Sequence, residues 1–383
     1  MTDIAGTVPV IAVDKVQAVA LAVCTYYFGV WLKGKVGVLS RYSIPSPVVG
    51  GMSFAIVVSF LEYFNIVKVQ IDSTLQTVLM LGFFTTIGLM ASLRVVKDGG
   101  RLLLGFLLAV TVLVFLQNGM GMAIAEAMGF DKHYGILAGS VSMMGGLGTA
   151  AAFGPYFEET YGITGGTAVA VTAATFGMVA ALLIGGPFGE WCIRRYQVKT
   201  PDEVQQPEPE LHLPDDMDTD ITEQHASAKP NFTNEIMRAV SVTALAMGLG
   251  TIVSNYLGHY ITLPAYIGAM IVATVIRNVG DFSGMYKVEG KGLNAVADIT
   301  LVLFVTMAIN NLKLHELVHL ALPLVVILAC QTILMLIYAW TVLFTAFGRS
   351  YDAVMLSVGG IGFSMGATAN GLANMQAISE KYG

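Results

Sequence analysis

Two glycine-studded apolar stretches hold the residues with chemistry to offer: GILAGSVSMMGGLGTAAAF from Gly135 to Phe153, and AVMLSVGGIGFSMGATANGLANM from Ala353 to Met375. The first gathers Ser142, Gly145, Gly146, Gly148 and Thr149; the second places Gly359, Gly360, Gly362, Ser364 and Gly366 ahead of Thr368 and Asn370. Each glycine costs roughly 1 kcal/mol relative to alanine inside a helix, so both stretches are expected to break midway, at these glycines. Main-chain groups freed by a break must face protein or a ligand, because lipid offers no hydrogen bonds. A half-helix starting past each break aims unpaired N–H groups and a partial positive charge at the site, which suits a carboxylate. Two such N-termini suit two carboxylates. Hydroxyl, amide and main-chain oxygens suit a hard ion such as sodium, expected near Thr149 and Thr368. The substrate site is therefore read as Ser142, Gly145, Gly146, Gly148, Thr149, Ser364, Gly366, Thr368 and Asn370.

Further polar side chains interrupt the apolar runs: Thr86, Gln117, Asn118, Asn310 and Gln331. At such depth they either bond neighbouring helices or line an ion path, and sequence leaves both readings open. Thr85 and Thr306 read more simply as hydroxyls bonded within their own helices. Asp298 is the clearest ionisable residue inside a run, and no Asp/Glu/His chain of a proton relay accompanies it, which favours sodium over proton coupling. Cys24, Cys192 and Cys330 lack disulfide or zinc spacing. The six histidines fall at loops, run ends or the central linker, and no nucleophile has a base at useful spacing, so an enzyme is not expected. GGIGFSMG fits neither phosphate-loop pattern. Neither a cofactor nor a nucleic-acid partner is expected.

The elements that must position these residues follow from composition. Of 383 residues 55% are hydrophobic and only 12% charged, against about 25% charged in soluble domains, so the lipid bilayer is the solvent. Apolar runs of about 20 residues, the length that crosses a bilayer as helix, recur throughout. They cover Val16 to Leu32, Ile44 to Asn65, Thr74 to Leu93, Leu102 to Met128 and Ile163 to Trp191, then Ile236 to Tyr260, Leu263 to Val279, Leu293 to Leu312 and Leu317 to Phe347. No basic leader precedes the first run, so it is expected to remain in the mature protein.

The halves resemble each other in order. IPSPVVGGM from Ile44 faces LPAYIGAM from Leu263, FFTTIGL from Phe83 faces LFVTMAI from Leu303, Gln117 faces Gln331, and GGLGTAAA faces SMGATANG, setting Thr149 on Thr368. Placing the N-terminus outside leaves only Lys15, Lys68, Lys132 and Lys313 of the 20 lysines and arginines on the outer side, as the positive-inside rule requires. The fold class is thus an all-α integral membrane protein of two inverted repeats, each with a re-entrant hairpin, at about 135–156 and 351–376. Residues 1–195 form the first repeat, 196–234 an acidic cytoplasmic linker and 235–383 the second repeat. Paired broken segments in such repeats point to the site of a secondary transporter. A passive anion channel is the rival class, and by these residues alone the cargo is any small carboxylate.

The chain resembles the bacterial sodium/glutamate symporter family. The likeness runs through YSIPSPVVGG, FFTTIGL, QNGMG, GGLGTAAAF, ATFGMV, LIGGP and LALPL, and is most specific in GFSMGATANGLANMQAI from Gly362 to Ile378. The resemblance implies uptake of L-glutamate with sodium through the bacterial inner membrane, five helices per repeat, a homodimer and an elevator motion. The first three helices of each repeat are the expected scaffold. Two departures stand out. Leu147 occupies the place where the family carries a histidine, which opens the site to another carboxylate such as a 2-hydroxy acid or dicarboxylate. The family also has one further apolar helix beyond the point matching Gly383, so truncation of the second repeat is expected.

Overall fold

A computed structural model describes residues 8–37, 39, 44–98, 100–201, 232–257, 265–284, 286, 290–313, 319–366 and 368–382. The acidic linker falls almost wholly outside the described residues. Where described, the chain is overwhelmingly helical, and seven helices are long and apolar enough to cross a membrane. It is a multi-pass membrane protein.

The first half comprises α1 (Lys15–Lys35), α2 (Ser46–Tyr63), α3 (Thr74–Met90), α4 (Leu93–Asp98), α5 (Gly100–Ala127), α6 (Lys132–Ile136), α7 (Gly146–Tyr161) and α8 (Gly166–Tyr196). The second half holds α9 (Phe232–Leu257), α10 (Ala265–Ser283), α11 (Lys291–Asn310), α12 (Ala321–Tyr338), α13 (Tyr351–Met365) and α14 (Thr368–Tyr382). α6 runs on into a wide π turn, Leu137–Val141, and α12 into another, Ala339–Ala346. The runs read from sequence match these helices closely because the bilayer's thickness fixes both run length and helix length.

Local chemistry sets several boundaries. Asp14 starts α1 with a capping box: its carboxylate accepts from the N–H groups of Val16 and Gln17, and the Gln17 side chain accepts the Asp14 N–H in return. Lys33 and Lys35 close the same helix, where the dipole favours cations. Pro45 and Pro47 open α2, where a missing N–H costs nothing. One element was not legible in the sequence: Val10–Val13 (β1) pairs in parallel with Lys68–Ile71 (β2), tying the start of the chain to the α2–α3 connection.

The helices sort into two packed groups. In the first, α2 packs on α1 and α11, α3 on α10 and α11, and α9 on α10 and α11. In the second, α5 packs on α6 and α12, α8 on α7, α13 and α14, and α13 on α14. The short α4 bridges them. The groups touch through side chains that are mostly apolar and aromatic. Phe83 and Leu301 of the first group lie against Gly148 of the second, and Phe153 meets Tyr266 edge-on at 5.7 Å between ring centres.

One expectation is corrected. The sequence put the second break within the run Gly359–Gly366, but Gly359, Gly360 and Gly362 all sit inside the continuous helix α13, and only Gly366 ends it. Those three glycines are packing positions: Gly359 faces Met375, Gly360 faces Leu343, and Gly362 lies against the main chain of Asn370 and Gly371. Close helix approach repays the propensity lost, as small residues do between membrane helices.

Candidate substrate and ion site

The first break is wider than sequence implied. It begins at Gly139, whose ψ of −132° leaves helical geometry, and Asn118 of α5 secures it by accepting the Ser140 N–H at 3.0 Å. Ser142 is fully buried and donates to the Leu137 carbonyl at 2.5 Å. The chain turns at Met144 and Gly145, and α7 begins at Gly146. Gly146 has φ +68°, a conformation other residues rarely adopt. Thr149, half-buried one turn on, donates to the Gly145 carbonyl at 2.9 Å.

The second break approaches the first. A Cβ built on Gly146 would lie 3.0 Å from the carbonyl oxygen of Gly366, so the two chain reversals meet main chain to main chain. Gly366 is backed by Asn370, which is buried and donates to the Met178 carbonyl of α8 at 2.8 Å. The Thr368 side chain lies outside the described residues. Two contacts that sequence did not flag fix this segment on α8. Asn374 is buried and donates to Ala181 and Val358 carbonyls at 3.1 and 3.2 Å. A Cβ on Gly177 would fall 2.0 Å from the Met365 carbonyl, so only glycine allows this approach. A single Asn or Gly in an apolar run gives no signal of its partner.

Of the five outlying candidates, three converge on the breaks. Gln117 is fully buried and donates to the Ser364 carbonyl at 3.1 Å; Gln331, equally buried, donates to the Gln117 carbonyl at 2.7 Å; Asn118 holds Ser140. The side-chain oxygens of Gln117 and Gln331 and the Ser364 hydroxyl have no hydrogen-bond partner among the described residues. A buried unpaired polar group costs about 1–3 kcal/mol, so three together call for an explanation.

The other two serve their own surroundings. Thr86 donates to Phe83 at 2.7 Å within α3, as Thr85 does to Leu81. Asn310 donates to Thr25 of α1 at 3.0 Å, tying the first group together, and no described contact carries it to the breaks. Asp298 is exposed on α11. Arg277 is buried but committed to Asp281 at 2.9 Å, whose carboxylate also accepts the Ser92 hydroxyl.

A cleft of about 610 Å³ opens between the groups, bounded by Gln76, Tyr266 and Asn311 on one side and Tyr156 and Thr167 on the other. It runs down α7 to Ala151 and Ala152, two and three residues past Thr149, and its size suits a small-molecule ligand. The break residues themselves do not line it. Where the loop enters α6, Asp131 caps the helix and the His133 backbone N–H holds its carboxyl below the usual carboxylate range. Among the described residues no group of three or more His, Cys, Asp and Glu side chains could hold a metal ion.

Paired helix breaks thus meet inside a membrane bundle. A profile described as sodium/glutamate symporter matches residues 11–383. The chain belongs to the sodium/glutamate symporter family. It is 36% identical over 375 residues to the sodium/glutamate symporter of Escherichia coli K12, covering 97% of this chain and 90% of that protein. The Shigella flexneri protein of the same name matches equally, and that of Haemophilus influenzae is 33% identical over 373 residues, covering 96% of this chain and 89% of its own length. The family resemblance read from the motifs is thus sound. Leu147, the departure at the first break, is half-buried and packs against the main apolar cluster, bringing no polar atom to the site.

Proposed function

We propose that this protein is a secondary active transporter that carries L-glutamate into the cell together with sodium. Membership of the family supports this, and the observation that carries the site assignment is the meeting of Gly146 with Gly366. Two re-entrant hairpins reaching the midplane from opposite faces would bring their half-helix N-termini, Gly146 and Thr368, to one cargo molecule. Each N-terminus then takes one carboxylate of glutamate. Ser142, Gly145, Gly148, Thr149, Ser364, Gly366 and Asn370 complete the substrate site, and sodium binds by main-chain and hydroxyl oxygens near Thr149 and Thr368.

The contact pattern supports an inverted repeat. Matching α1, α2 and α3 to α9, α10 and α11 turns the α2–α11 contact into the α10–α3 contact and the α1–α11 contact into the α9–α3 contact, and both members of each pair occur. In this reading the N-terminus is periplasmic, the linker cytoplasmic and the membrane the bacterial inner membrane. α1–α3 and α9–α11 are the fixed scaffold, within a homodimer, and the second group slides past it as an elevator. An aromatic, apolar boundary supports such sliding because its contacts carry no fixed register. Coupling is reciprocal: whatever factor sodium adds to glutamate affinity, glutamate adds to sodium affinity.

Leu147 favours one rival, sodium-coupled transport of another small carboxylate, because nothing described at the breaks demands an amino group. Purified protein in proteoliposomes should accumulate labelled L-glutamate under an inward sodium gradient and not under potassium. Competition by citrate or malate rather than glutamate would select the rival. Flux without accumulation would favour a passive channel.

A further inference from the structure

We propose that Gln117, Gln331 and Ser364 form a dehydrated sodium site behind the second helix break, distinct from the sodium placed near Thr149 and Thr368. The inference deepens the reading of the protein as a sodium-coupled symporter and takes its physiological meaning from it. Three observations carry it. All three residues are fully buried, they form one continuous chain of contacts, and each keeps an oxygen with no hydrogen-bond partner among the described residues.

The amide orientations are not interchangeable. Each nitrogen, Gln117 Nε2 and Gln331 Nε2, already faces a main-chain carbonyl, and turning either amide over would set oxygen against oxygen. The two unpaired carboxamide oxygens are therefore acceptors, the Ser364 hydroxyl oxygen adds lone pairs beside its own proton, and acceptors without donors are what a cation completes. Each orphan carboxamide oxygen shares its carbon with a nitrogen bonded inside the cluster, so neither can lie far from it.

The chemistry of the set selects the ion. Carboxamide and hydroxyl oxygens are hard, neutral ligands, and among the described residues no group of three or more His, Cys, Asp and Glu side chains is placed to hold a metal ion. A divalent ion would leave its charge unbalanced in a buried site, whereas a monovalent one asks for less. The cleft between the helix groups is lined by none of the three, which favours a bare ion over the ammonium of an amino acid.

Position gives the site a role. Gln117 belongs to α5, Gln331 to α12, and Ser364 stands two residues before Gly366, whose carbonyl abuts Gly146. An ion here would clamp the end of α13 to α5 and α12 and so hold the second reversal against the first. Sodium bound in this place would pre-form the cargo site, which is one physical route to coupling.

The test uses full-length purified protein without glutamate. Thermal unfolding is followed while sodium chloride replaces choline chloride at constant ionic strength, for wild type, Ser364→Ala and Gln331→Leu, with potassium as the control ion. Sodium should stabilise the wild type more than potassium does, and each variant should need about tenfold more sodium or more for the same shift. In choline, Ser364→Ala should unfold at or above the wild-type temperature, since it only deletes an unpaired buried hydroxyl. That comparison keeps the result readable if Gln331→Leu folds poorly. Equal sodium titrations of Ser364→Ala and wild type would overturn the site and leave the orphan oxygens to buried water. Sodium-driven uptake by the wild type is measured alongside. If uptake depends on sodium while these variants titrate normally, this inference fails alone. If uptake shows no sodium dependence but stabilisation is lost in the variants, the transport reading fails and the ion site stands.

Discussion

Replacing Gly146 with alanine perturbs the one point where the two chain reversals touch. The residue sits at φ +68°, and an alanine held there costs about 1–2 kcal/mol. Its methyl carbon would also lie 3.0 Å from the Gly366 carbonyl oxygen, a contact that must open by a few tenths of an ångström. If the strain falls on the cargo-binding geometry, about 1–2 kcal/mol corresponds to a loss of roughly 5- to 30-fold in apparent glutamate affinity. Gly119→Ala is the matched control. It lies in α5 with open space beside it, so the same substitution should be neutral or should stabilise by about 0.5–1 kcal/mol. Sodium-driven uptake against glutamate concentration, with thermal unfolding in parallel, separates binding from folding. Wild-type affinity and stability in Gly146→Ala would show that the reversals do not meet here, and the shared site would fall with them. Equal loss in both variants would show that the defect is not specific to the contact.

Three further outcomes follow from the same geometry. Thr149→Val and Thr368→Val should reduce uptake well beyond their effect on unfolding temperature, and wild-type uptake in both would remove these hydroxyls from the site. Gly177→Ala should destabilise by about 1–3 kcal/mol and lower uptake in proportion, since a methyl 2.0 Å from the Met365 carbonyl must part α8 from α13; unaltered thermal unfolding would refute that packing. Asp131→Ala should cost about 0.5–1 kcal/mol of the α6 cap at neutral pH, the low end because the cap is exposed. Because the carboxyl titrates below its ordinary value, that stabilisation is complete above the unfolded-chain pKa and is lost as pH falls through the folded one. Unfolding temperatures of wild type and variant should therefore converge in acid, and a difference constant with pH would contradict the cap.

The sequence alone determined the membrane solvent, the helices and their approximate ends, because bilayer thickness imposes one length on every apolar run. It also determined that two segments must break, since glycine at that density weakens a helix wherever it stands, and its motifs identified the family. Which glycine breaks the helix was decided in the tertiary structure: Gly359, Gly360 and Gly362, packed against Met375, Leu343 and the main chain of Asn370 and Gly371, stayed helical, while Gly366, backed by Asn370, ends the helix. Sequence likewise could not say whether a buried amide was structural or part of a site. Asn310 and Gln331 look alike in their apolar runs, yet one binds Thr25 across the first helix group and the other reaches Gln117 beside the breaks. The parallel pairing of Val10–Val13 with Lys68–Ile71, the grip of Asn374 on α8 and the approach of Gly146 to Gly366 joined residues far apart in the chain. Such contacts leave no local periodicity to read, because a partner's identity depends on how whole helices dock and not on the residues beside it.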